Sequence, residues 1–225
     1  MAGSAGKDAC LKNLHYLAIE GVIGVGKTSL SHLLAKNMTG QVVLEKHEEN
    51  PFLEDFYENP QRYAFQTQMF FLLSRYRQQQ DLKQQDLFHS VIISDYLFAK
   101  DRIFASLTLD EREFMLYDRL ASLLERDIPR PDLVVYLQSN TQRLMVNIRK
   151  RGRSYEKTIS EEYIRSLVEA YNHFFFHYKE TALLVVDTTQ IDFVNNREDL
   201  ENLVAQLSKP LGGTKFYIPR ITGKR

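Results

Sequence analysis

The stretch "YLAIEGVIGVGKTSLSHLLAK", Tyr16 to Lys36, decides the fold. A short apolar run leads into a glycine-spaced turn, and an amphipathic pattern follows. Inside it "GVIGVGKT", Gly21 to Thr28, meets G-x-x-x-x-G-K-[ST] at every fixed position, after a strand-like segment and ahead of a helix-like one. Such a turn lets successive N–H groups, from Gly21 through Val22, Ile23, Gly24, Val25 and Gly26, point inward around phosphate oxygens. A helix starting near Lys27 adds the positive end of its dipole. Lys27 is expected to reach the outer phosphates of a nucleotide, and Thr28 to hold Mg²⁺ through its hydroxyl. The alternative, a glycine-rich turn with a chance Lys-Thr pair, leaves the flanking strand and helix patterns unexplained.

Outward from this stretch, short apolar runs recur at Leu14 to Ile19, Val42 to Leu44, Val91 to Ile93, Leu133 to Leu137 and Leu183 to Val186. They do not alternate cleanly, which predicts strands buried on both faces. Helical periodicity fills the intervals, around 28 to 37, 60 to 86, 109 to 126, 139 to 150, 160 to 179 and 195 to 208. Strand and helix in alternation predict an α/β fold with a five-stranded parallel sheet flanked by helices. Ligands of such sheets bind beyond the carboxyl ends of the strands. Attention therefore falls on Glu20 to Thr28, Glu45 to Pro51, and the segments that follow Asp95, Gln138 and Asp187.

A chain of 225 residues needs only one domain to bury a sizeable core. We expect that domain over 13–208, a disordered start over 1–12, and a C-terminal tail over 209–225, mobile or docked on a partner. The 29 basic residues are balanced by 29 acidic ones, so net charge gives no ground for nucleic-acid or membrane partners. The single cysteine, Cys10, excludes an internal disulfide framework and suits a reducing compartment. The first residues lack the pattern of a secretory or mitochondrial leader, and no apolar stretch approaches the roughly 18 residues of a membrane span. A cytoplasmic protein is the expectation.

Phosphate binding alone fits a switch GTPase, an ATPase or a kinase. No N-K-x-D motif occurs, nor D-x-x-G after a strand, so the first of these lacks its base-reading and switch elements. A phosphoryl-transfer enzyme needs an acceptor pocket, a group that orients the acceptor hydroxyl, and positive charge over the group in flight. "RKRGR", Arg149 to Arg153, offers that charge at a predicted helix end. On its own it would read as a solvated basic terminus favoured by the helix dipole. Beside a phosphate loop it reads as a closing segment.

Three segments, "AIEGVIGVGKTSL", "LEKHEENPFLEDFYENPQRYAFQTQMFFLLSRYR" and "KRGRSYEKTISEEYI", resemble the phosphate-loop, acceptor and lid segments of deoxynucleoside kinases, nearest to the bacterial deoxyadenosine and deoxyguanosine kinases. The likeness runs from about residue 14 to about 206, with the motifs in the family's order. It implies a P-loop kinase fold with a helical lid, ATP or another nucleoside triphosphate as donor, Mg²⁺, a deoxynucleoside as acceptor, purine more than pyrimidine, and a homodimer. Glu45 then stands where the family keeps the carboxylate that takes the proton from the 5′-hydroxyl. A carboxylate after the second strand also suits that task physically, being close to the phosphate loop. By the same resemblance Tyr57 and Glu156 contact the sugar 3′-hydroxyl, Gln68 bonds the base, Arg75 shapes the base pocket, and Phe71 touches the base. Gln68 and Arg75, seven apart, share one helical face. Phe65, Phe70 and Tyr76 are expected to be mostly core. Arg151 and Arg153 match the lid arginines, and Arg149 does not align.

One departure stands out. After the third strand the family reads acid, arginine, serine, whereas this chain reads "SDYLFAKDRIFA". Asp95 can take the acid's place near Mg²⁺, but Tyr96 occupies the arginine's place. Lys100 or Arg102, one to two turns along, could return the charge. A branch of the family shares a similar Ser-Asp-Tyr-Leu-Phe stretch, which favours divergence over inactivation. A nucleoside monophosphate kinase on the same fold would need basic residues for the acceptor's phosphate, and Glu45 to Gln68 is acidic, with Lys46 and Arg62 its lysine and arginine. A non-catalytic nucleotide-binding module would have no use for Glu45 and the lid arginines together. His173 and His177, at i and i+4 in "HFFFH", lack an evident third ligand, so packing is preferred to zinc. His47 and Cys10 form no motif.

Overall fold

The computed structural model of the protein describes residues 14–85, 91–209 and 212–219. The expectation for residues 1–12, and Cys10 with it, lies outside them. In the first half the chain forms β1 (Tyr16–Gly21), α1 (Lys27–Met38), β2 (Gln41–Val43), α2 (Leu53–Glu58), α3 (Pro60–Gln85), β3 (Ile92–Ser94), α4 (Asp101–Thr108) and α5 (Glu111–Leu124). The second half adds β4 (Leu133–Gln138), α6 (Thr141–Arg151), α7 (Glu161–His177), β5 (Ala182–Asp187), α8 (Arg197–Leu207) and β6 (Thr214–Tyr217).

All strands are parallel, in the order β2-β3-β1-β4-β5-β6. The apolar runs occupy the middle: β1 and β3 are buried throughout, and β4 and β5 nearly so. That is what strands covered by helices on both faces require. Leu17, Ile19, Leu30, Leu34 and Leu137 are fully buried in the main core. Burying each such side chain contributes about 1.5–3 kcal/mol.

The sheet has six strands where five were expected. The sixth, "TKFY", lies in the segment assigned to the tail and pairs with β5 from Leu183↔Thr214 to Val186↔Tyr217. It is an edge strand exposed over Thr214–Phe216, so no apolar run marks it in the sequence.

β1 lies between β3 and β4, and the chain passes from β3 to β4 across it. This reversal opens a crevice at the carboxyl end of β1, where the glycine-spaced turn begins. On the β3 side, Leu72, Phe98, Ala105, Tyr117 and Ala121 form a second small core that braces α3 against α4 and α5. No helix among the described residues is long and apolar enough to cross a membrane.

Candidate active site

The turn after β1 is held from below by Glu20. Its buried carboxylate accepts from Gly21 N at 2.8 Å, Leu97 N at 2.8 Å and the Tyr171 hydroxyl at 3.2 Å. From above, α6 packs on the turn: Asn147 Nδ2 donates to Gly24 O at 2.9 Å. A Cβ at Gly24, whose φ is +86°, would lie 2.8 Å from Ile148 Cγ1 and 2.9 Å from Leu144 O, so no side chain fits there. Asn140, Ser160 and Asn196 cap α6, α7 and α8 with their own side chains. Gly26 gives α1 no such cap, which leaves its first N–H groups available to an anion. Lys27 Nζ folds back onto Gly21 O at 2.5 Å and Val22 O at 3.4 Å. Loss of water around the ammonium lowers its pKa from 10.5 to about 8, against the pull of Glu20, with repulsion from Lys100 adding to the drop.

Asp95, just past β3, joins two segments. Its Oδ2 accepts from the Thr28 hydroxyl at 2.5 Å, and its Oδ1 from Glu45 N at 2.7 Å. Two hard oxygen ligands side by side at the mouth of the turn suit Mg²⁺, which takes few protein ligands and completes its shell with phosphate and water oxygens. Among the described residues no cluster of three or more His, Cys, Asp or Glu forms an all-protein metal cage.

Glu45 is the centre of a buried charge cluster. Arg75 Nη2 binds its Oε1, and Lys100 Nζ its Oε2 at 2.6 Å. Arg75 also pairs through Nη1 with Asp101, and its guanidinium lies over the rings of Phe71 at 4.8 Å and Tyr96 at 5.9 Å. Arg75, Lys100 and Asp101 are each at most 3% exposed, and the Glu45 side chain 17%. Burial works to raise the Glu45 pKa, but Arg75, then Lys100, then Lys27 outweigh it, holding the carboxyl well below its usual range.

On the opposite wall the turn over 154–156 presents Glu156, which is 5% exposed. Arg151 binds it with Nε at 3.0 Å and with Nη2, and Arg153 Nη1 lies 3.6 Å away. The Tyr57 ring stacks on Tyr155 with centroids 6.0 Å apart. Burial first, then Tyr163 and the Glu156 charge, push the Tyr57 hydroxyl well above its usual pKa. Gln68 Nε2 donates to the Thr108 hydroxyl at 3.3 Å. One cleft of about 760 Å³ joins this wall to Lys27, Asp95 and Glu45.

A family model, "Deoxynucleoside kinase", matches residues 17–211. The chain belongs to the deoxynucleoside kinase family. It is 35% identical over 199 residues to the deoxyguanosine kinase of Bacillus subtilis, covering 86% of this chain and 96% of that one. A deoxyadenosine kinase of Dictyostelium discoideum is 36% identical over 162 residues, 71% of this chain and 66% of that one. The structure of deoxyadenosine kinase from M. mycoides with bound dATP aligns with a TM-score of 0.75 at 28% identity, over 87% of this chain and 100% of that one.

In this kinase the cleft is lined by Ile23 through Thr28 and by Glu45, Tyr57, Gln68, Phe71, Arg75, Asp95, Arg151, Arg153 and Glu156. Gly21 and Val22 lie just beneath it, buried. Arg149 is exposed and does not line it, whereas Lys150 does. Of the two cations offered in place of the missing arginine, Lys100 reaches the site. Arg102 turns away to Asp118, Ser122 and Glu125. Phe65, Phe70 and Tyr76 are half-buried rather than core, and of these Tyr76 packs on the second cluster. His173 and His177 lie near the end of α7 with their rings tilted and 4.6 Å apart, and neither lines the cleft.

Two groups escaped sequence reading. Asp101 was hidden in an unremarkable "KDR", and its partner Arg75 is distant in the chain. Gln79 bonds the buried hydroxyls of Tyr16 and Tyr96, each at 3.1 Å, and nothing in a glutamine-rich helix singles it out. The segment after Asp187, singled out in the sequence as lying beyond the carboxyl end of a strand, does line the cleft, with Thr188 and Ile191 to Asn195.

Proposed function

We propose that the protein transfers the γ-phosphoryl group of ATP to the 5′-hydroxyl of a deoxynucleoside, purine in preference to pyrimidine. The observation that carries this is the single cleft joining the turn at Ile23 to Thr28 to the Glu45 carboxylate, with Lys27 and Glu45 near enough to perturb each other's titration. Lys27 and the uncapped start of α1 would hold the donor's phosphates. Thr28 and Asp95 would hold Mg²⁺, which when bound neutralises phosphate charge. Glu45 would orient the 5′-hydroxyl and take its proton as the new P–O bond forms and the bond to the β-phosphate oxygen breaks. Arg151 and Arg153 would leave Glu156 in part to meet charge on the transferring group, while Glu156 and Tyr57 bind the 3′-hydroxyl. Gln68, Phe71 and Arg75 would form the base pocket.

An acceptor without its own phosphate is supported by Arg75, whose guanidinium on this wall is already taken by two carboxylates, Glu45 and Asp101. Purine preference is supported by the relatives named for deoxyguanosine and deoxyadenosine. Homodimer formation in the cytoplasm completes the proposal. The exposed apolar side chains Leu73, Met115, Leu116 and Leu123, on α3 and α5, support a self-association face. The deciding experiment compares the four deoxynucleosides and deoxyadenosine monophosphate as acceptors. Turnover of a deoxynucleoside, lost by ~10²-fold or more in Glu45→Gln, is expected. Preference for the monophosphate, or unchanged turnover in Glu45→Gln, refutes the assignment.

A further inference from the structure

Glu45 presents a difficulty for any proton-accepting task. Each of its oxygens already carries a full cation, Arg75 on Oε1 and Lys100 on Oε2. A carboxylate held this way is a poor acceptor for a hydroxyl proton until one cation is withdrawn. The two cations are not equally free to leave.

Arg75 is fixed on several sides. Its fork spans two carboxylates, Glu45 and the buried Asp101, and its guanidinium lies over the rings of Phe71 and Tyr96. Withdrawing it would strand Asp101, which is 2% exposed. Among the described residues Lys100 has one carboxylate partner, Glu45, and a ring contact with Phe104 at 5.9 Å. Its ammonium is a point charge on a flexible four-carbon stem, able to turn without breaking a planar fork. Lys100 also lines the same cleft as Glu45 and Gly24 to Thr28 of the phosphate loop, the space through which a phosphoryl group would pass.

We propose that Lys100 is a catalytic cation that changes partner during turnover: it rests on Glu45 in the free enzyme and moves onto the transferring phosphoryl group, releasing Oε2 to the acceptor hydroxyl. This rests on the kinase function proposed above. The exchange keeps charge balanced. The phosphoryl oxygens gain a cation as the bond to the β-phosphate oxygen breaks, and Glu45 gains the proton released as the 5′-oxygen bonds to phosphorus. Arg75 stays on Oε1 and Asp101 throughout, holding Glu45 in place.

The test combines kinetics and structure. Lys100→Met should lower kcat by ~10²-fold or more, the usual loss for one preorganised charge donor, with KM for the deoxynucleoside within about threefold. Lys100→Arg should recover part of that loss, and ATP binding with a thermal melt checks that each variant is folded. A kcat for Lys100→Met within about threefold of wild type, or a loss confined to KM, overturns the proposal. Should Lys100→Met fail to fold, wild type decides: its crystal structure with Mg²⁺, a non-hydrolysable ATP analogue and the accepted deoxynucleoside should show Nζ on the γ-phosphoryl oxygens and Arg75 on Asp101. Nζ still on Glu45 there overturns the exchange. Wild-type turnover of the acceptor panel tests the kinase function separately, because failure of wild type refutes that function and a silent Lys100→Met refutes only the role of Lys100.

Discussion

The two ends of the cleft are built in opposite ways. At the donor end the cleft is lined by a continuous backbone turn, Ile23 to Thr28, shaped by glycines and one helix start. At the acceptor end they are side chains, Glu45, Arg75, Lys100 and Asp101, gathered from three separate segments and paired in a buried, charge-balanced set. A backbone site keeps its shape when one side chain is lost. A buried charge set does not, because each member is stabilised by its opposite. Damage to the donor end should therefore appear in activity, and damage to the acceptor wall in stability as well.

The sharpest division between the ends is expected from Lys27→Met. Steady-state kinetics should show a loss of ~10³-fold in kcat, the upper range for one preorganised donor, with the urea midpoint nearly unchanged. Asp101→Asn should do the reverse, lowering the unfolding free energy by about 3 kcal/mol in urea titration, since Arg75 keeps its charge and loses a buried partner. An equal loss of stability in both variants would erase the distinction.

Acidity offers a subtler probe of the donor end. Burial depresses the Lys27 ammonium from 10.5 to about 8, so it is charged at pH 7 and largely neutral at pH 9 in the free enzyme. The charged fraction falls roughly tenfold over that range. ATP affinity, measured by titration calorimetry, should fall in the same direction as pH rises, and a flat profile would place the Lys27 pKa elsewhere. The smallest effect is expected for Tyr96→Phe. It removes a hydroxyl that accepts from Gln79 at 3.1 Å, costing about 1 kcal/mol in thermal or urea melts, with kcat within about threefold of wild type. A large drop in kcat would show that Tyr96 acts on the reaction rather than on the packing under α3.

This contrast also explains what sequence could convey. The donor end was legible because its chemistry is local: the spacing within Gly21 to Thr28 is the geometry. The central strands were legible because burial on both faces leaves continuous apolar runs, as in β1 and β4. β6 left none, since an exposed edge strand such as Thr214–Tyr217 needs no apolar run. The acceptor wall became readable through resemblance, which supplied Glu45, Gln68 and Arg75 as candidates but not their mutual contacts. Spacing alone offered Lys100 and Arg102 equally. The choice fell to the helix packing, which gives Arg102 the carboxylates of Asp118 on α5 and Glu125 just past its end, and leaves Lys100 facing Glu45. Asp101 and Gln79 answer to partners distant in the chain, so no local pattern marks them.

Asp95 ties these two constructions together. Its two oxygens hold the Thr28 hydroxyl on one side and the backbone of Glu45 on the other. The side chain therefore works as a ruler: the separation between the start of α1 and Glu45, two residues past β2, is set by the width of one carboxylate. Lengthening it by a single methylene, as in glutamate, would insert about 1.5 Å between the ends. A reaction that needs its two oxygens in line on either side of one phosphorus has little tolerance for such a change, and the shorter acid is the one that fits the gap.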